Sequence, residues 1–165
     1  MGSPLSCLLV DAVMKQFEAK AFETIRPRLW IRYVDDTFVI LKKSELDRFH
    51  QHLNTLIPGI KFTMEEECDA KLPFLDILIM RQTNGNLETT VYRKSTTTDR
   101  IVNFQSNHPT CHLKSCVRTL FHRADTHCST PELRKKELIR LFKLFMANGY
   151  PKSFVNTCIR NNKKP

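Results

Sequence analysis

Residues 29–41 read Leu29-Trp30-Ile31-Arg32-Tyr33-Val34-Asp35-Asp36-Thr37-Phe38-Val39-Ile40-Leu41. Two runs of β-branched and aromatic residues flank a tight acidic pair, a pattern that predicts a β-hairpin with both carboxylates at its tip. Like charges a few Å apart repel, so such a pair is costly unless a cation sits beside it. Mg²⁺ prefers carboxylate oxygens and keeps coordination sites open for phosphate. In two-metal nucleotidyl transfer one ion activates the attacking hydroxyl and the other stabilises the leaving pyrophosphate. A bare Asp-Asp turn is ordinarily a solvated loop. Here the strongly apolar strands, and Tyr33-Val34 ahead of the acids, make the setting far more specific.

Working outward, Leu9, Val10, Val13, Met14, Phe17 and Ala21 recur at helical spacing over residues 8–22, and Pro27 ends that element. Ser44 and Asp47 are placed to cap a helix with Leu46, Phe49, Leu53 and Leu56 on its buried face, stopped by Pro58-Gly59. Ile60 to Glu67 alternates as a strand. Leu72 to Arg81 and Leu87 to Lys94 read as two more strands, joined at Asn84-Gly85. Residues 95–109 lack periodicity. Helical spacing returns from about Lys114, with Val117, Leu120, Phe121 and Ala124 on one face. Thr130-Pro131-Glu132 then supplies a cap, a first-turn proline and an acid at the positive end of the next helix. That helix runs to Asn148-Gly149, and a short one follows around Phe154 to Ile159. The fold class is therefore α+β: a mixed region over 1–94, a basic connector over 95–110, and an all-helical region over 111–165 with a basic tail.

Composition narrows the classes. The 165 residues are 41% hydrophobic and 26% charged, an ordinary globular balance. No apolar run approaches the roughly 20 residues that span a bilayer, and no signal-peptide pattern opens the chain, so a membrane partner is not expected. The net charge of +9 is unevenly placed. Residues 1–80 carry 10 basic and 12 acidic side chains, whereas residues 81–165 carry 16 and 5. Chemistry in the first part and a polyanion grip in the second fit that division. Six cysteines at irregular spacing suit reduced intracellular thiols better than a disulfide framework.

Tyr33-Val34-Asp35-Asp36 resembles motif C of reverse transcriptases, and Met1-Gly2-Ser3-Pro4-Leu5-Ser6 resembles their glycine-containing motif B. Lys71-Leu72-Pro73-Phe74-Leu75-Asp76, Val91-Tyr92-Arg93-Lys94-Ser95-Thr96, Thr98-Asp99-Arg100, Asn107-His108-Pro109 and Asn148-Gly149-Tyr150-Pro151 follow in order. Together they resemble the Penelope-like retroelement reverse transcriptases over nearly the whole chain. The resemblance implies an RNA-directed DNA polymerase fragment: a partial palm over 1–94 and a helical thumb over 111–165. Its partners would be an RNA or DNA template-primer and dNTPs, with Mg²⁺ or Mn²⁺ as cofactor. A nuclear location would follow if it acts as that family does. Asp35 and Asp36 would be the catalytic, metal-binding pair. Gly2, Ser3, Pro4, Tyr33 and Val34 would shape the template and nucleotide pocket. Residues 44–67 would be motif D, and 72–94 a primer-grip-like hairpin.

The departures point to a fragment that is inactive alone. A palm needs a further catalytic Asp, from motif A, which in that family precedes motif B; Asp11 sits on the helix after motif B and is no substitute. Cys7 and Ser95 stand where that family usually has Pro. Arg93, Lys94 and Arg100, with Lys114 and Arg118 on the following helix, are the candidates for nucleic-acid contact, since three cations and a Tyr within nine residues suit phosphate neutralisation with stacking. A non-catalytic nucleic-acid-binding remnant is the alternative. Cys111, His112, Cys116, His122, His127 and Cys128 cluster, but their spacing on a helix favours buried thiols and surface imidazoles over zinc. Met1-Gly2 with Ser6 also fits an N-myristoylation pattern, which motif B explains better.

Overall fold

The first apolar stripe forms helix α1 (Pro4–Thr24) in a computed structural model that describes residues 4–161, and the side chains of residues 8–160. Only part of the stripe is covered. Phe17 and Ala21, one turn apart, are completely buried, and Ile25 just beyond the helix joins them. Leu8, Leu9, Val10 and Val13 stay exposed. A fully buried Phe contributes roughly 2–3 kcal/mol, so α1 is anchored by its second half.

What covers that half is the predicted hairpin. Strands β1 (Leu29–Tyr33) and β2 (Asp36–Ile40) pair antiparallel, with Leu29 opposite Ile40 and Tyr33 opposite Asp36. Trp30 packs edge-on against Phe22 and Phe49. Helix α2 (Leu46–Leu56) adds Phe49 and Leu53 to the same core. The Ser44 cap is not made: Lys43–Glu45 forms a 3₁₀ turn, Glu45 is the N-cap residue, and no side chain caps the helix.

Ile60 to Glu67 departs from its alternation and forms no strand. Side chains of α2 take the place of a neighbouring strand. The Phe62 amide donates to Asn54 Oδ1 at 2.7 Å, Asn54 Nδ2 donates to the Phe62 carbonyl at 3.2 Å, and His50 Nε2 lies 2.8 Å from that oxygen. Phe62 stacks on Phe17. The Phe62 peptide group is thereby satisfied without a ladder.

The chain divides into two compact units, Met1–Glu66 and Glu67–Pro165. This differs from the division after residue 94 read from the sequence, because the hairpin of residues 71–91 packs with the helices that follow it. Leu72 to Arg81 is also two strands: β3 (Lys71–Phe74) reverses at Leu75-Asp76 into β4 (Ile77–Arg81), which pairs with β5 (Leu87–Val91). Gly85, at φ +83°, makes the predicted Asn84-Gly85 turn.

Helices α3 (Thr110–His127), α4 (Pro131–Ala147) and α5 (Lys152–Asn161) complete the second unit. Its core is Val117, Phe121, Leu141, Phe145, Tyr150 and Val155 with their neighbours. Thr130 caps α4, its hydroxyl accepting from the Leu133 amide at 3.3 Å. In the turn between α3 and α4, the Ser129 amide donates to the Thr89 carbonyl at 3.0 Å and the Thr89 amide donates to Ser129 Oγ at 2.9 Å, which covers the free edge of β5. The region between the sheet and α3 has no regular structure but is tied down: Asn148 Nδ2 donates to the Asp99 carbonyl at 3.0 Å, and the Tyr150 hydroxyl donates to the Val102 carbonyl at 2.8 Å. Among the described residues no helix is long and apolar enough to cross a membrane.

Candidate acidic tip and nucleic-acid interface

The hairpin closes through a two-residue loop, Val34-Asp35. Val34 sits at φ +53°, in the left-handed region where a β-branched residue is a rare outlier. Holding it there costs on the order of 1–3 kcal/mol, and such strain concentrates at functional sites. Val34 gains no packing in return, since it is 65% exposed. Asp35 and Asp36 are both exposed, as is Tyr33. Cross-strand partners project from the same face, so Tyr33 and Asp36 share the face that also carries exposed Leu29 and Ile31. Gly2 and Ser3 lie outside the described residues. Pro4 opens α1, and its side chain is also outside them.

The opposite face of the hairpin is bound to α1 by charge. Arg32 donates from Nε to Glu18 at 2.7 Å and from Nη2 to Asp11 at 2.9 Å; Trp30 Nε1 donates to Glu18 at 3.0 Å. Asp11 also pairs with Lys15 at 2.8 Å. Hydrogen bonds from Lys15 and Arg32 lower the Asp11 pKa, and Asp11 and Glu18 raise that of Arg32. Asp11 is thus committed on the α1 side, while Asp36 faces away from it.

Two neighbouring carboxylates on an exposed tip suit a Mg²⁺ that keeps most of its water and gains phosphate oxygens. They do not make a closed cage, because among the described residues no group of three His, Cys, Asp or Glu could hold a metal. The donor set is incomplete for two ions, and no catalytic step follows from these residues alone. The cysteine and histidine cluster is likewise dispersed: Cys128 lies beside Thr90, Cys116 contacts Tyr150, and Cys111 and His112 are exposed.

The charge follows the units more sharply than the sequence division suggests. The first unit has 9 basic and 9 acidic residues, the second 17 and 8, so the whole excess of +9 belongs to the second. Arg93, Lys94 and Arg100 line one cleft of about 360 Å³ with Asp76, Asp99, Arg123 and Glu137. Every acid there is already matched. Asp76 pairs with Arg123 at 3.1 Å, Asp99 with Arg140 at 2.7 Å, and Glu137 takes a forked pair from Arg93 whose Nη1 bond is 3.0 Å. Arg93 therefore serves the fold, and Lys94 and Arg100 are the cations left over. Sequence reasoning missed Glu137, 44 residues from its partner. Its only signal was an acid on the apolar face of a helix.

Lys114 and Arg118, one turn apart on α3, are respectively exposed and half-buried, and both act electrostatically on Cys158 of α5. Burial still pushes the Cys158 thiol up. Helix α5 buries Val155 and Cys158 and exposes Lys152, Ser153, Thr157 and Arg160. It follows α4 across only residues 148–151, and α4 follows α3 across residues 128–130. Three helices joined by turns this short have the connectivity of helix-turn-helix motifs, whose second helix can enter the major groove.

Comparison with known proteins touches this same region. No curated protein matches the chain, and no solved structure does. One family model, the animal helix-turn-helix domain, matches residues 100–160, which take in the end of the connector and nearly all of the three helices.

Proposed function

We propose that this chain is part of an RNA-directed DNA polymerase, with the Asp35-Asp36 hairpin from the palm and a helical unit that grips the template-primer. The observation that carries the reading is the loop itself: Val34 is held at φ +53° with no packing gain, and the turn presents both carboxylates to solvent. The concentration of all net charge in the helical unit supports a polyanion partner there. Arg32, gripped by Asp11 and Glu18, keeps the hairpin at a fixed position on α1, which a metal-binding tip requires. These residues alone do not catalyse the reaction, because the third carboxylate of a two-metal site is not among them.

A second reading, a non-catalytic nucleic-acid-binding remnant, is favoured by the helix-turn-helix match over residues 100–160. The two separate experimentally. Sequencing the genomic DNA and transcript upstream of Met1 is expected to reveal an in-frame strand bearing an Asp. The extended polypeptide should elongate a DNA primer on an RNA template with Mg²⁺, and Asp35→Ala should abolish it. Stop codons upstream, or primer extension unaffected by Asp35→Ala, would leave the polymerase reading without support.

A further inference from the structure

Antiparallel pairing brings the residues that enter β1 and those that leave β2 to one place, the base of the hairpin. The Arg28 amide donates to the Ile40 carbonyl at 2.8 Å there. Arg26 and Arg28 approach on one side, Lys42 on the other, and Arg48 comes from the first turn of α2. The four line a groove of about 560 Å³ floored by Ile25, Ile40 and Leu41, with Glu45 its one acid. All four cations are exposed, and among the described residues none is ion-paired. Glu23 and Asp47, the nearest acids in sequence, do not line the groove.

This concentration is not a consequence of composition, since the unit is neutral overall. Elsewhere in the unit, Lys15 pairs with Asp11, and Arg32 with Asp11 and Glu18. At the hairpin base four like charges are left together, which costs free energy in the unliganded protein and is relieved by a polyanion. Three are guanidinium groups, whose planar forks suit phosphate oxygens better than an ammonium does. Five-residue strands at ~3.3 Å per residue put the base roughly 15 Å from the tip, so a phosphate at Arg28 is not one bound beside Asp35.

We propose that the groove lined by Arg26, Arg28, Lys42 and Arg48 is a second contact for the sugar-phosphate backbone of a single nucleic-acid strand, read without base specificity. This rests on the nucleic-acid reading above but involves none of the residues that carry it.

The test is fluorescence anisotropy of a labelled single-stranded RNA across a salt series, using the full chain. Each phosphate neutralised on a single strand contributes about 0.7 to the salt slope. Arg26→Gln/Arg28→Gln/Arg48→Gln should therefore flatten the slope by about 2, a loss of roughly fifteenfold more affinity at 50 mM than at 200 mM salt. Lys114→Gln/Arg118→Gln serves as the comparison in the helical unit. Loss of binding in that variant with none in the triple variant overturns the groove and leaves the nucleic-acid reading standing. RNA binding that neither variant weakens overturns the groove alone, and no binding by the parent chain overturns both. Equally tight, equally variant-sensitive binding of polyglutamate would replace the nucleic acid with an acidic peptide. Circular dichroism of the triple variant should be that of the parent, since the substituted groups are solvent-exposed.

Discussion

Truncating Arg93 should destabilise the protein more than truncating its partner, because the two ends of the ion pair differ in access to water. Glu137 is 7% exposed and the Arg93 side chain 25%. Arg93→Ala strands a carboxylate on the buried face of α4, and removing one member of a buried pair costs ~3–5 kcal/mol. The pair is not fully desolvated, so about 3 kcal/mol is the expected figure, including lost packing of the arginine stem. Glu137→Ala leaves a guanidinium that reaches solvent by a small rotation, and about 1–2 kcal/mol is expected. Arg93→Met/Glu137→Leu removes both charges and should come within about 1 kcal/mol of the parent. Urea unfolding followed by far-UV circular dichroism measures all three, while fluorescence of Trp30, the chain's one tryptophan, follows the first unit. If Arg93 serves the fold, the folded double variant also keeps the parent's salt slope for duplex binding. An Arg93→Ala cost below about 1 kcal/mol, or a larger cost for Glu137→Ala, would refute the reasoning.

Val34→Asn should leave the protein as stable or raise stability by about 1 kcal/mol, since Asn tolerates the left-handed region and little packing is lost; thermal melts decide, and a loss above 1 kcal/mol contradicts the strain. Asn148→Ala removes three hydrogen bonds at a nearly buried site and should cost about 2–3 kcal/mol by chemical denaturation. Burial raises the Tyr150 pKa to about 12 from 10.0. A raised folded-state value means its stabilising contribution is complete below pH 10 and is lost as pH climbs through about 12. Tyr150→Phe should flatten that alkaline loss in a pH series of melts; an unchanged profile counts against it.

Local chemistry made much of the fold legible. Register in the first hairpin follows from alternating aromatic and β-branched residues around an acidic pair, and the α4 boundaries follow from Thr130-Pro131 and Asn148-Gly149. The reversal at Leu75-Asp76 was hidden because leucine gives no signal for the φ of +53° that it adopts. Residues 60–67 misled because their alternation is real, but at Phe62 the partners come from Asn54 and His50 of α2 and not from a neighbouring strand. The unit boundary depends on which core accepts the hairpin of residues 71–91, a tertiary outcome to which charge steps are blind. The placement of Asp35 and Asp36 at the hairpin tip was readable from their flanks. The ion pair of Arg93 was hidden because its partner lies 44 residues away. The cations at the hairpin base were in plain view as Arg26-Pro27-Arg28 and Lys42-Lys43, and an antiparallel hairpin brings its two flanks together.

The central claim is that the chain holds a template-primer without being able to extend it. The most direct measurement is a salt titration of an RNA–DNA hybrid template-primer with the purified chain, with Mg²⁺ and dNTPs present and primer length read at each point. The account predicts binding that weakens steeply with salt and a primer that does not grow. No binding at 50 mM salt, or a primer that lengthens in an Asp35-dependent way, would contradict it.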